Sequence, residues 1–167
     1  MTLPVYTPGE VLAAADCNNY FLPQVAVRTS NSSQIKTTTL TNDSVLFVPV
    51  AANAIYEFRF YLNAASASTT SGAKFAFTFP AGATGSYAGV YYNSGGGSFA
   101  VPTSLGATQT GLVGGTANVN YASFWNGLMT TSSTAGNFQV QYAEQTLDAT
   151  NGAYIFAPSA LILNRIG

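Results

Sequence analysis

From Gln34 onward, apolar and polar residues alternate with a period of two, the pattern of strands that turn one face to a core. In IYEFRFYLN, Tyr56, Phe58, Phe60 and Leu62 fall on one side, and Ile55, Glu57, Arg59 and Tyr61 on the other. That strand has one apolar face and one mixed face. KFAFTF repeats the pattern with Phe75, Phe77 and Phe79, and NFQVQYAEQ repeats it with Phe138, Val140 and Tyr142 inward and Gln139 and Gln141 outward. QIKTTTL, SVLFVPV, SYAGVYY, SFAV, NVNYASFWNGLM and SALILNRI are further candidate strands, the last apolar enough to be central to a sheet. Turn-like stretches separate them at Thr41-Asn42-Asp43, Ala51-Ala52-Asn53, Ala81-Gly82-Ala83, Asn93 to Ser98 and Thr131 to Gly136. About eight or nine short strands at this spacing predict an all-β fold, an antiparallel β-sandwich of jelly-roll type over residues 33–167.

The front of the chain, TPGEVLAAADCNNYFLP, follows a different rule. Thr7 as N-cap, Pro8 at the first helical position and Glu10 three residues after Thr7 make a capping box. A second start is open at Ala13, with Asp16 near the positive end of the helix. Pro23 disfavours helical geometry at Leu22 and closes the segment in either register. Val11, Ala15, Asn18 and Leu22 share a face with Leu12 and Asn19 beside it, a stripe too narrow and weakly apolar to hold a short helix by itself. The expectation is one short N-terminal helix in a docking segment, residues 1–32. Glu10, Val11, Leu12, Asp16, Asn19, Tyr20 and Leu22 are its docking candidates.

Composition narrows the function classes. Charged residues are 7% of the 167, against about 25% in an average soluble domain, and the net charge is -1. The surface must therefore be made largely of uncharged polar and small residues. Arg28, Lys36, Arg59, Lys74 and Arg165 are scattered, so no basic patch points to nucleic acid or an anionic membrane as partner. Histidine is absent and Cys17 is the only cysteine, which excludes intrachain disulfides, Cys/His zinc sites and a Ser-His-Asp or Cys-His catalyst. No cofactor or metal is expected. MTLPVYTPGEV carries neither a charged leader nor a long apolar stretch, so no signal peptide or membrane span is expected either.

Candidate chemistry is sparse. Glu57 and Glu144 could in principle face each other across a sugar, but Glu57 lies two residues from Arg59 on the same strand face, and an ion pair is the simpler reading. DATNG, Asp148 to Gly152, lacks the alternating oxygen ligands of a calcium loop and reads as a turn. NSGGGS, Asn93 to Ser98, lacks the Lys-Ser/Thr of a phosphate cradle and reads as a connector. Cys17 reads as a small apolar group rather than a reactive thiol. Tyr87, Tyr91 and Tyr92 adjoin the glycine loop, and with Trp125 they are the candidates for surface recognition, against ordinary packing.

The stretch PGEVLAAADCNNYFLPQVAV resembles the PGEVLTAADVNNYL-type leader of structural proteins of tailed bacteriophages, particularly those infecting actinobacteria. Gly9, Glu10, Val11, Leu12, Ala14, Ala15, Asp16, Asn19 and Tyr20 fall on matching positions, and Ala13 stands where that leader commonly has Thr. TTTLTNDSVLFVPVAANAIYEFRFYL, KFAFTFPAGATGSY and TAGNFQVQYAEQTLDAT are similar, in that order, to the β-rich domain that follows. The resemblance implies a virion structural protein without enzymatic residues, a minor tail or fibre component, with other virion proteins as partners. Capsid decoration is the alternative within that class. A carbohydrate-binding module, with a host-surface glycan as partner, is the rival outside it. Low net charge favours self-association, and a homotrimer is expected.

Overall fold

The structure, a computed structural model, describes residues 7–11, 13–14, 17, 22–33, 35–66, 71–93, 96–112, 119–148 and 150–167. Its strands are β1 (Gln24–Arg28), β2 (Thr41–Val50), β3 (Ile55–Ser66), β4 (Ala73–Thr78), β5 (Thr84–Asn93), β6 (Gly96–Ser104), β7 (Gln109–Leu112), β8 (Tyr121–Thr130), β9 (Gly136–Glu144), β10 (Ala153–Ile155) and β11 (Ser159–Arg165). The fold is all-β and every pairing is antiparallel. A larger sheet runs β1-β11-β3-β8-β5-β6, with β10 also on β3, and a smaller one runs β2-β9-β4-β7. As its apolar content predicts, β11 is interior, flanked by β1 and β3.

Three local readings change. The sheet begins at Gln24, inside the stretch assigned to the leader, because QVAVR pairs along its length with β11. QIKTTTL is not a strand: Ile35 makes a single bridge to Ala153, and residues 36–40 lie outside any strand. Thr41-Asn42-Asp43 is no interstrand turn, because it opens β2, where the register slips between Asn42 and Phe47. Asp43 Oδ1 accepts the amides of Val45 and Leu46 at 2.8 and 2.9 Å, an Asx-type turn set inside a bulge. The N-terminal helix falls mostly outside the described residues. Where it is described, Thr7 to Glu10 is a turn and not the first turn of a helix: Gly9 has φ of 89°, which a helix does not allow, and the Thr7 amide donates to Glu10 Oε2 at 2.9 Å across that turn. The Cys17 amide donates to the Ala13 carbonyl at 3.2 Å, the bond expected of the Ala13 register.

The core lies between the sheets and is aromatic. Phe58 and Phe60 from β3, Phe75 and Phe77 from β4, Phe138 from β9, and Tyr87 and Trp125 from β5 and β8 form one buried cluster. Phe77 stacks on Phe138 at 4.8 Å, and Trp125 meets Phe75 edge-on at 4.9 Å. Two glycines make the room. A Cβ at Gly127 would sit 2.6 Å from Phe58 Cζ and 2.7 Å from Tyr87 Cβ, and one at Gly89 would sit 2.5 Å from Trp125 Cε3. Each lies opposite the rings it accommodates: Gly127 pairs with Phe58 and Tyr87, and Gly89 with Trp125.

Tyr87 anchors this cluster to the chain that follows β6. Its hydroxyl donates to the Ala107 carbonyl at 2.7 Å and accepts from Gln109 Nε2 at 3.2 Å. Burial pushes that hydroxyl from its ordinary 10 up to about 12, with the Gln109 hydrogen bond acting in the opposite sense. Burial also raises Tyr142. A raised folded-state pKa means that the stabilisation is complete below about pH 10 and is lost as pH climbs from 10 toward 12. Urea midpoints should therefore be steady up to roughly pH 9 and fall above roughly pH 10, and Tyr87→Phe should show a shallower alkaline fall. An identical alkaline slope in the variant would count against this assignment.

Candidate interaction surface

The side chains opposite the core on the larger sheet mix polar groups such as Glu57, Arg59, Asn126, Ser86 and Thr130 with apolar ones, and the apolar ones gather toward one end. One residue from each of five strands forms a row in direct register: Val27 beside Ala160, Ala160 beside Tyr61, Tyr61 beside Phe124, and Phe124 beside Val90. The Tyr61 and Phe124 rings are 4.9 Å apart. Two residues along the strands, Val25 and Ile162 continue the apolar surface to Arg59. Leu128 and Ile55 extend it toward the other end. Leu128 is 53% exposed, Val25 52% and Tyr61 44%.

One ion pair stands in the middle of this face. Arg59 donates to Glu57 Oε1 through Nε at 3.1 Å and Nη2 at 3.0 Å, and both side chains are substantially exposed. This is the pairing expected from their spacing, and an exposed pair of this kind contributes little to stability. The smaller sheet gives the contrast. Gln139 and Gln141 of β9 and Lys74 and Thr78 of β4 point outward there, with Phe47 and Val45 confined to the edge strand β2. The smaller sheet thus has a mostly polar back, and the larger sheet an apolar row across its front.

A second feature joins the sheets. Arg28 of β1 and Asp43 of β2 are both buried, and Nη2 reaches Oδ1 and Oδ2 at 2.7 Å each. Arg28 Nη1 donates to the Ser30 carbonyl at 3.3 Å, and Gln139 Nε2 donates to the Asp43 carbonyl at 2.8 Å. Beside the pair is an open polar recess of about 400 Å³, lined among others by Ser30, Asn31, Ser32, Asn42 and Tyr142. Its polar groups are committed to holding residues 31–33 in place. Ser32 Oγ accepts the Ile155 amide at 2.8 Å, Asn31 Oδ1 accepts the Ala157 amide at 3.1 Å, and the Tyr142 hydroxyl donates to the Ser33 carbonyl at 3.2 Å. The recess is a clamp between β1, β2 and β10.

The structure scatters the residues singled out from the sequence. Trp125 is fully buried and Tyr87 is 2% exposed, so neither is a surface group. Trp125 Nε1 donates to Ser123 Oγ at 3.0 Å, and its ring stacks at 5.6 Å on Tyr91, which is half-buried. The Tyr92 side chain lies outside the described residues. Glu57 and Glu144 are not brought together. Glu57 faces outward from the larger sheet, whereas Glu144 is buried at the end of β9, where Oε2 accepts the Asp148 amide at 3.3 Å. DATNG is a turn, with Asp148 Oδ1 accepting the amides of Thr150 and Asn151 at 2.9 and 3.1 Å. In the leader, Glu10 is exposed, Val11 is 88% exposed and Leu22 57%, while Leu12, Asp16, Asn19 and Tyr20 lie outside the described residues. Among the described residues, no helix is long and apolar enough to cross a membrane.

Sequence reasoning missed the outer apolar face, although its signal was present. Ile55 and Tyr61, then Phe124 and Leu128, occupy the parity opposite the core in two strands that pair with each other.

No protein-family model matches the chain, and no curated protein matches it. Among solved structures it is similar to one titled "Structure of infectious bursal disease virus Gx strain", at 12% identity and a TM-score of 0.20, over 100% of this chain and 42% of that one. The corresponding Gt strain structure gives 10% identity and a TM-score of 0.17, over 99% of this chain and 45% of that one. The chain thus spans less than half the length of either, and likeness at these TM-scores carries no argument about fold or role.

Proposed function

We propose that this chain is a non-enzymatic structural protein of a bacteriophage particle. It docks by its N-terminal segment and presents the β-sandwich on the particle surface as a minor tail or fibre component. Capsid decoration is the alternative role in the same class. The observation that carries the reading is the leader: Val11 and Leu22, apolar side chains within a segment similar to a phage structural leader, are 88% and 57% exposed and thus free for a partner. The bond from the Cys17 amide to the Ala13 carbonyl supports a short helix in the Ala13 register. The strand order supports a jelly roll. Successive strands alternate between sheets so that β1-β11-β3-β8 faces β2-β9-β4-β7, with the β5–β6 hairpin added at the β8 edge. A low charge content and an apolar front support a homo-oligomer, with a trimer as its proposed form.

Deletion tests the docking role, and the fold dictates where it must stop. Removing residues 1–22 spares β1, which starts at Gln24. The shortened chain should keep its strand circular dichroism and buried-indole fluorescence while disappearing from purified particles by mass spectrometry. Normal incorporation would remove the docking role. Copy number separates the two placements: a handful per particle means tail, and a number comparable with the shell subunits means capsid.

A further inference from the structure

We propose that the outer face of the larger sheet is the surface through which copies of this chain bind one another. The inference rests on the homo-oligomer reading above and gives it a location, and because one face meeting its own copy closes across a two-fold axis, it makes the oligomer a dimer in place of the trimer. Three observations carry it. The face is continuous, since its rows, about 6.8 Å apart, run across five strands at the Val25 and Val27 end and three at the Ile55 end, at about 4.8 Å per strand, a footprint of roughly 550 Å². That is below the ~800 Å² which each partner contributes to a standard specific interface and in the range of the weaker ones. Its row of Val27, Ala160, Tyr61, Phe124 and Val90 contrasts with the glutamine and threonine rows on the opposite sheet, where the exposed Val45 and Phe47 stay on the edge strand β2.

The third observation selects the occupant. The charge within the face is one acid and one base side by side, Glu57 and Arg59, held at 3.0 Å. Such a face is neutral and complementary to itself, because Glu57 of one copy can meet Arg59 of another while the apolar rows close around them. It does not suit a strongly acidic or basic partner, which would leave one of the two charges opposed to its own sign. A lipid surface would strip water from this pair at a cost that its own hydrogen bonds do not repay.

Sedimentation velocity on the full chain tests this at concentrations on the order of 10–100 μM, where an interface of this size holds its copies together. The wild type should sediment as a closed dimer. Leu128→Glu and Phe124→Glu, both at exposed positions, should dissociate it, with association weakened on the order of a hundredfold or more. Gln141→Glu on the opposite sheet should leave it unchanged. Arg59→Glu should weaken association, and adding Glu57→Arg should restore it. Circular dichroism confirms that each variant is folded.

A monomeric wild type would overturn the homo-oligomer reading and this inference together. If the leader-intact Leu128→Glu chain were then lost from particles, the face would belong to a different virion protein. A wild-type oligomer that both face variants leave intact, or that Gln141→Glu disrupts equally, would overturn the location alone.

Discussion

Asp43→Ala is expected to lower the free energy of unfolding by about 3–5 kcal/mol, the cost of leaving a buried charge without its partner. The carboxylate does three things at once. It neutralises Arg28, which is 5% exposed, through two contacts of 2.7 Å, and it accepts the amides of Val45 and Leu46 that the bulge removes from the ladder. It also bridges the sheets, since β1 belongs to one and β2 to the other. In a chain of this length, about 1 kcal/mol corresponds to ~2–4 °C, so the melting temperature should fall on the order of 10 °C. Asp43→Asn keeps an acceptor for the two amides and removes only the charge, so its loss should be smaller. Urea unfolding of the three proteins checks this, and a loss under ~1 kcal/mol for Asp43→Ala would show that Arg28 finds other compensation. Glu57→Ala is the control, since an exposed pair contributes on the order of 0–1 kcal/mol.

Trp125→Ala should cost about 3–5 kcal/mol of stability, as large aromatic truncations in packed cores do. The indole is fully buried, edge-on to Phe75, stacked on Tyr91 and bonded to Ser123, so its removal leaves a cavity among rings that cannot collapse together. The same variant separates two readings of the residue. A core indole makes the variant easier to unfold, whereas a ligand platform would leave the urea midpoint unchanged. Because Trp125 is the only tryptophan, Tyr91→Ala offers a fluorescence version: loss of the stacked ring should shift the emission of a still-folded protein.

The strands were legible where the alternation was long. The pattern of IYEFRFYLN identifies the inward residues of β3, and NFQVQYAEQ those of β9, because bulky residues fall on one parity only. Trp125 was harder because NVNYASFWNGLM carries large side chains on both parities, Trp125 and Met129 on one, Phe124 and Leu128 on the other. Small neighbours decide the matter: Ser123 and Gly127 leave room beside Trp125 for Phe58 and Tyr87 from the strands on either side. That contact joins three strands and has no signature within one of them. Likewise β7 and β10 are too short for a period to show, and β1 was hidden because its alternation begins just after the leader's closing Pro23. The Asp43 bulge shows turn chemistry correctly read and wrongly placed. An Asx residue closes a local turn equally well inside a strand as between two.

The position of β11 has a consequence for synthesis. It fills the gap between β1 and β3, yet it is made after the other described strands of both sheets. Roughly ninety residues separate it from the end of β3, so at about 5–20 residues per second β3 waits on the order of 5–20 s for its neighbour. During that interval the ribosome-bound chain carries two strands with open hydrogen-bonding edges and bare apolar rows. Copies emerging side by side on one messenger are thereby exposed to mispairing until the final strand closes the sheet.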